Sequence, residues 1–285
     1  MQEYYFLFAL ALVWTLFATI QDIRKREVAN WLNFSLITFA LAYRAFFSIT
    51  TKDYDFFLLG LLGFIIFFAL ANIFYYTKSF AGGDAKLLMG YGVILPYQNL
   101  FSLAALTISF IFLLFFVGAI YSIFYSFFII AKNKNKFSKE FKLKIKKYKN
   151  ITLILTILPV ILLFLVLQLA NYPIIVAILI IAIIFPWLLI YTKSLDKCMI
   201  VLVSPNKLTE GDWLEKDVHI GKTTIKKSVH GLSFKEIQLL KKHNLSVLIK
   251  QGIPFVPAFL IALIVIIILF LKFQDFSFFL VNFLG

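Results

Sequence analysis

The feature that most constrains this chain is a set of long, unbroken apolar runs. They occupy residues 4–20, 31–50, 56–76, 100–130, 151–169, 173–191 and 254–271. About 20 such residues cross a hydrocarbon core of roughly 30 Å as an α-helix. Their continuity argues against a membrane β-barrel, whose strands alternate apolar and polar residues. Composition agrees: 62% of the chain is hydrophobic and 15% charged, against about 45–50% and 25% in soluble domains. A soluble globular enzyme and a disordered chain are both excluded. The single Cys excludes a disulfide framework and any Cys-rich zinc site.

A net charge of +14 invites a nucleic-acid partner. The placement of the charge argues against one. Arg24, Lys25 and Arg26 follow the first run, nine Lys crowd residues 132–150, and eleven Lys lie in 193–250. Basic residues mark the cytoplasmic side of a membrane protein, so all three segments are expected there. Parity then constrains the short apolar segment 85–96. At about 1.5 Å per residue it reaches only roughly 18 Å, yet it must cross, or nearly so, turn at 96–99 and return along 100–130. The expected fold is an all-α polytopic membrane protein of about eight transmembrane helices, with both termini outside and a small α+β cytosolic segment. All but Arg44, Lys52 and Lys272 of the 28 Lys and Arg then face the cytoplasm.

Four regions follow from this path. Residues 1–130 form a membrane core. Residues 131–192 form a Lys-rich cytoplasmic loop, read as a solvated or headgroup-facing tether, followed by an extra transmembrane pair. Residues 193–251 form a cytosolic subdomain, and 252–285 the last helix and a tail. The first residues carry Glu3 and no positive charge, and no small-residue cleavage site follows, so no cleavable signal peptide is expected. In the subdomain, 199–203 reads as a strand, 209–212 as a turn and 217–229 as a hairpin. Ser233-Phe-Lys-Glu236 reads as a capping box opening a helix through Ile237, Leu239 and Leu240. At about 50 residues this unit is expected to have little core of its own and to pack on the bundle.

Two acids stand apart from those in loops. Asp22 ends the first span, and Asp84 begins the short one after Ala81-Gly82-Gly83. The path above puts both at one membrane face. Acids at membrane depth are costly and mark functional sites. Two facing carboxylates suit aspartic-protease hydrolysis, because a close pair shares one proton and can act as base and acid together. Helix ends would favour Asp84 as the anion and Asp22 as the acid. Gly82 and Gly83 would let backbone approach the carboxyl and unwind the helix start. The plainer alternative makes Asp22 a juxtamembrane charge and Asp84 an N-cap.

These residues resemble a family. Asp22-Ile-Arg-Lys-Arg-Glu-Val-Ala-Asn30 after a first span resembles the first catalytic motif of type IV prepilin peptidases. Ala81-Gly82-Gly83-Asp84-Ala85-Lys86-Leu87 resembles their GxGD motif and the lysine after it, with Ala81 in place of the first Gly. Gly252-Ile-Pro-Phe-Val-Pro-Ala-Phe259 and the capped segment 231–236 resemble the archaeal branch, which includes preflagellin peptidases. The resemblance covers roughly 5–130 and 200–272. It implies a membrane aspartic endopeptidase that removes the short basic leader of pilin-like or archaellin-like precursors on the cytoplasmic side of the plasma membrane. It implies Asp22 and Asp84 as the catalytic pair and Gly83 as the motif glycine. Bacterial relatives often add a Cys-rich zinc site and N-methylation; with Cys198 alone, peptidase activity without methylation is expected. The pair of spans at 151–191 resembles an insertion into a six-span enzyme.

Other signals have both a functional and a plain reading. Arg24, Arg26 and Lys86 flank the pair and could tune it, or serve topology alone. Arg44 inside a span is expected to snorkel outward or cap a polar pocket. Glu210, Asp212, Glu215 and Asp217 form an acidic knot that could dock a basic leader, or be an exposed charged turn. His219, His230, His243 and Cys198 lack zinc spacing, so no metal and no cofactor is expected. The expected partners are the precursor proteins and the lipid bilayer, not nucleic acid. Two other functions fit two aspartates: a presenilin-like or signal-peptide-peptidase-like protease, and a transporter with an Asp proton relay. The position of Asp22 before a basic loop argues against the first. The clustering of both acids at one face argues against the second.

Overall fold

The computed structural model describes residues 3–169, 173–221, 223–228 and 230–273. Among them the chain is mostly helical, with a small sheet segment. It divides into two compact units, 1–123 with 252–285, and 124–251. The tail from 274 onward and Val229 at the end of the expected hairpin lie outside the described residues.

In the first unit the helices are α1 (Glu3–Lys25), α2 (Asn30–Thr51), α3 (Tyr54–Tyr76), α4 (Gly82–Ile94), the first part of α5 (Leu100–Lys132), and α9 (Val256–Phe273). Three ends are marked by basic residues with positive φ: Arg26 after α1, Lys52 after α2 and Lys78 after α3. Glycine usually takes this left-handed closing position.

The short helix is the hub of this unit. Leu87, Leu88, Tyr91, Val93 and Ile94 of α4 are all buried. The Tyr91 ring stacks on Phe110 of α5 at 5.0 Å and meets Phe259 of α9 at 5.5 Å. Gly63 of α3 and Gly92 of α4 touch backbone to backbone, leaving no room for a Cβ on either. As expected, the chain turns within 95–99 before α5. Asn99 Oδ1 accepts from the Ser102 N–H at 2.7 Å, and Ser102 Oγ accepts from the N–H groups of Gln98 and Asn99 at 2.8 and 2.9 Å.

Arg44 does not snorkel. It is fully buried, and its guanidinium donates to the carbonyls of Val93, Phe56 and Leu95 at 2.7, 2.6 and 2.7 Å. The last carbonyls of a helix have no partner within it; Arg44 supplies one at the end of α4. The polar-pocket alternative is the one realised.

The second unit holds the rest of α5, then α6 (Lys134–Leu169) and α7 (Pro173–Cys198). The Lys-rich stretch 132–150 is not a loop. After a break at Asn133, α6 runs through it as continuous helix. Lys is a good helix former, and Phe137, Phe141, Ile145 and Tyr148 recur on one half-buried stripe. Phe137 meets Tyr191 of α7 edge-on at 5.6 Å.

The remainder of this unit is β1 (Ile200–Val203), β2 (Trp213–Leu214), β3 (Val218–Ile220), β4 (Thr223–Ile225), α8 (Phe234–Lys242) and β5 (Val247–Lys250). β5 lies between β1 and β2, antiparallel to both, and β3 pairs with β4 as the expected hairpin. The capping box is present: the Glu236 N–H donates to Ser233 Oγ at 3.4 Å, and the Ser233 N–H to Glu236 Oε2 at 2.8 Å. Contrary to expectation the segment has a core, built from Leu208, Leu214, Ile220, Leu240, Val247 and Ile249 among others. β5 completes it, with Val247 and Ile249 buried in alternation along the strand.

Among the described residues, six helices are long and apolar enough to cross a membrane: α1, α2, α3, α5, α6 and α7. The two further expected spans are the shorter helices α4 and α9. This is a multi-span membrane protein.

Candidate active site

The site is assembled from the end of α1, the loop to α2, the start of α4 and the start of α9. Asp22 lies in the last turn of α1 and is buried. The loop behind it is ordered by its own side chains: Gln21 Oε1 accepts from the Ala29 N–H at 3.0 Å, and Val28 is buried.

The start of α4 rests on that loop. A Cβ on Gly83 would lie 3.3 Å from Val28 Cβ and 3.4 Å from Val28 N, tight for real contacts, whereas at Gly82 the nearest atom is 3.8 Å away. The Gly83 carbonyl accepts from Asn33 Nδ2 at 3.3 Å. Lys86 Nζ donates to Asn30 Oδ1 at 2.6 Å. The helix is not unwound here: α4 begins at Gly82. Gly83 therefore serves close approach to Val28 rather than a break in the helix.

Asp84 is the third residue of α4 and is buried. Its Oδ2 accepts from the Ala81 N–H at 3.3 Å. It is thus not the N-cap, whose place Ala81 takes. The Asp22 and Asp84 carboxylates lie near enough for their charges to interact. The structure brings together the two acids singled out in the sequence.

A third element reaches Asp22. Its Oδ2 accepts from the backbone N–H of Val256 at 2.9 Å. This is the first residue of α9, so Asp22 also faces a helix N-terminus. Asp22 keeps its place in the last turn of α1 and Asp84 its place in the first turn of α4, but each carboxylate accepts an N–H at a helix start. The sequence signal for the Val256 donor is the Gly252–Phe259 stretch, which carries only a resemblance in the sequence.

The flanking basic residues differ in what they do. Arg26 donates a hydrogen bond to the Gly252 carbonyl, in the strap leading to α9. Lys86 holds Asn30, as above. Arg24 is exposed.

The acidic knot lies in the second unit, and three of its acids have structural partners. Asp212 Oδ2 accepts from the Thr209 N–H at 2.8 Å; burial pushes this carboxyl up despite that bond. Glu215 pairs with Lys197 at 3.0 Å, which holds its carboxyl below the usual range. Asp217 Oδ1 accepts from the Lys227 N–H at 2.7 Å. Glu210 is exposed.

Residues 9–128 match the model of the type IV leader peptidase family. That span contains both aspartates and the Ala81-Gly82-Gly83-Asp84 motif. This segment is thus similar to the type IV leader peptidase family. Three preflagellin peptidases resemble the chain at a distance. That of Methanocaldococcus jannaschii is 31% identical over 93 residues, covering 33% of this chain and 39% of the relative. That of Methanococcus maripaludis is 30% identical over 137 residues, covering 44% and 59%. That of Methanococcus voltae is 30% identical over 145 residues, covering 48% and 62%. The chain thus spans less than two thirds of the length of each of these curated relatives. No solved structure matches. Within residues 9–128, Asn33 and Gln21 make positioning contacts that no sequence signal marks; each is a single hydrogen bond of an unremarkable polar residue.

Proposed function

We propose that this protein is a membrane-embedded aspartic endopeptidase. It removes the short basic leader of pilin-like or archaellin-like precursors at the cytoplasmic face of the membrane, without N-methylating the product. The observation that carries this reading is the pair Asp22 and Asp84, buried and within each other's field inside a segment similar to the type IV leader peptidase family.

The chemistry follows from two carboxyls sharing one proton. The ionised carboxylate takes a proton from water as its oxygen attacks the scissile carbonyl carbon. The protonated carboxyl donates to the carbonyl oxygen, stabilising the charge that develops there. The tetrahedral intermediate collapses, the C–N bond breaks, and the proton taken from water passes to the leaving amine. Arg26 and Lys86 contribute by fixing the strap and loop around the pair. The Glu210, Asp212, Glu215 and Asp217 surface would attract the basic leader, although three of these acids are already engaged.

The test is leader release from a pilin-like precursor with a Lys-rich leader, in detergent or membranes. Wild type shortens the precursor. Asp22→Asn and Asp84→Asn each lose more than about 100-fold in rate. Cleavage that survives both substitutions refutes the reading.

A further inference from the structure

The first turn of α9 is unusually poor in backbone donors. Pro257 has no N–H. The Ala258 N–H is taken by the Phe255 carbonyl at 2.9 Å. What remains is the N–H of Val256, a fully buried residue, and it points at Asp22 Oδ2 at 2.9 Å. The strap before it is tied to the same place, because Arg26, four residues beyond Asp22, donates to the Gly252 carbonyl. Both ends of the segment 252–256 are therefore fastened around the end of α1, from 226 and 234 positions away in sequence.

We infer that the Val256 N–H is a positioning group for Asp22: the head of α9 holds one oxygen of this carboxylate and so orients it toward Asp84. This rests on the peptidase reading above. A hydrogen bond to a charged acceptor is among the stronger ones a backbone can make. A carboxyl whose side-chain torsions are otherwise free needs such a tether to stay in a reactive orientation. The arrangement gives α9, which lies outside the matched leader peptidase segment, a direct part in the site.

A backbone donor is removable here. Val256 is the first residue of its helix, where proline is well tolerated and its missing N–H breaks no intrahelical bond. Val256→Pro removes the donor. Val256→Ala removes the side chain and keeps the donor, so it sets the baseline for lost packing. The expected result is a kcat for Val256→Pro about tenfold or more below that of Val256→Ala, with similar KM for the two. A purely structural strap would not separate kcat from KM in this way.

A second measurement needs no cleavage and no fold tolerance at 256. Asn in place of Asp22 still offers an oxygen to the Val256 N–H; Ala does not. Asp22→Asn is expected to melt near wild type in detergent, and Asp22→Ala about 2 °C or more lower. Equal melting of these two variants, or Val256→Pro turning over as fast as Val256→Ala, overturns the inference. If wild type releases no leader, the peptidase reading fails, and the melting comparison decides the inference alone.

Discussion

Arg44 donates from Nη2 to the carbonyl of Leu95 at 2.7 Å, closing the end of α4 opposite to Asp84. Two further bonds, to Val93 and Phe56, fix the fork, and the ring of Phe56 lies 4.5 Å from the guanidinium. Lysine keeps the charge but has neither the planar fork nor the reach to three carbonyls. Arg44→Lys should therefore destabilise the protein by roughly 2–4 kcal/mol, since buried carbonyls are left without donors. Reversible unfolding in mild detergent measures it. A loss below about 0.5 kcal/mol would mean that α4 is held by packing alone.

Gly82 and Gly83 are neighbours in the motif with different surroundings. Alanine at 82 meets nothing closer than 3.8 Å, whereas at 83 it presses on Val28. Gly82→Ala should stabilise α4 by about 0.5–1 kcal/mol through helix propensity. Gly83→Ala should forfeit that gain, because Val28 and the loop must shift. Paired melting curves of the two variants decide it. Equal stabilisation by both would show that the loop yields freely.

Much of the fold was legible in the sequence, for identifiable reasons. Apolar runs of span length announce helices because a membrane permits little else. The two aspartates stood out because acids at that depth need a purpose. The capping box and the 218–225 hairpin were readable because their signals are local. What escaped was non-local or masked by charge. The Lys-rich half of α6 looked like a tether because charge outweighed the stripe of Phe137, Phe141, Ile145 and Tyr148. The burial of Arg44 depends on two carbonyls 49 and 51 positions away and a third 12 away. The Val256 donor to Asp22 depends on a chain reversal that no periodicity encodes. In the candidate site, the acids were therefore visible and the groups that hold them were not.

The local capping signal can itself be measured. Ser233 and Glu236 exchange hydrogen bonds at the start of α8, and α8 buries Ile237 and Leu240 in the core of its unit. Ser233→Ala should cost about 1 kcal/mol. Faster amide hydrogen exchange confined to α8 and its neighbours in that core would report it. Unchanged protection there would show that packing of Leu240 alone fixes the helix.

The pairing of Glu215 with Lys197 predicts a pH dependence of known sign. Lys197 bonds to the Glu215 carboxylate and holds its folded pKa below the ordinary value. The pair therefore stabilises the fold above the unfolded pKa, about 4.3, and that contribution fades as pH falls through the lower folded value. Both side chains are partly exposed, so solvent screening limits the effect to less than about 1 kcal/mol. Asp212, pushed up by burial, acts in the opposite sense, so the comparison must be with a variant that leaves it in place. Glu215→Gln serves: the stability gap between wild type and this variant should be present at pH 7 and shrink between about pH 5 and 3. Hydrogen exchange along β2 and β5, which flank the pair, follows it. A gap that stays constant with pH would show that Glu215 contributes through packing, not through its charge.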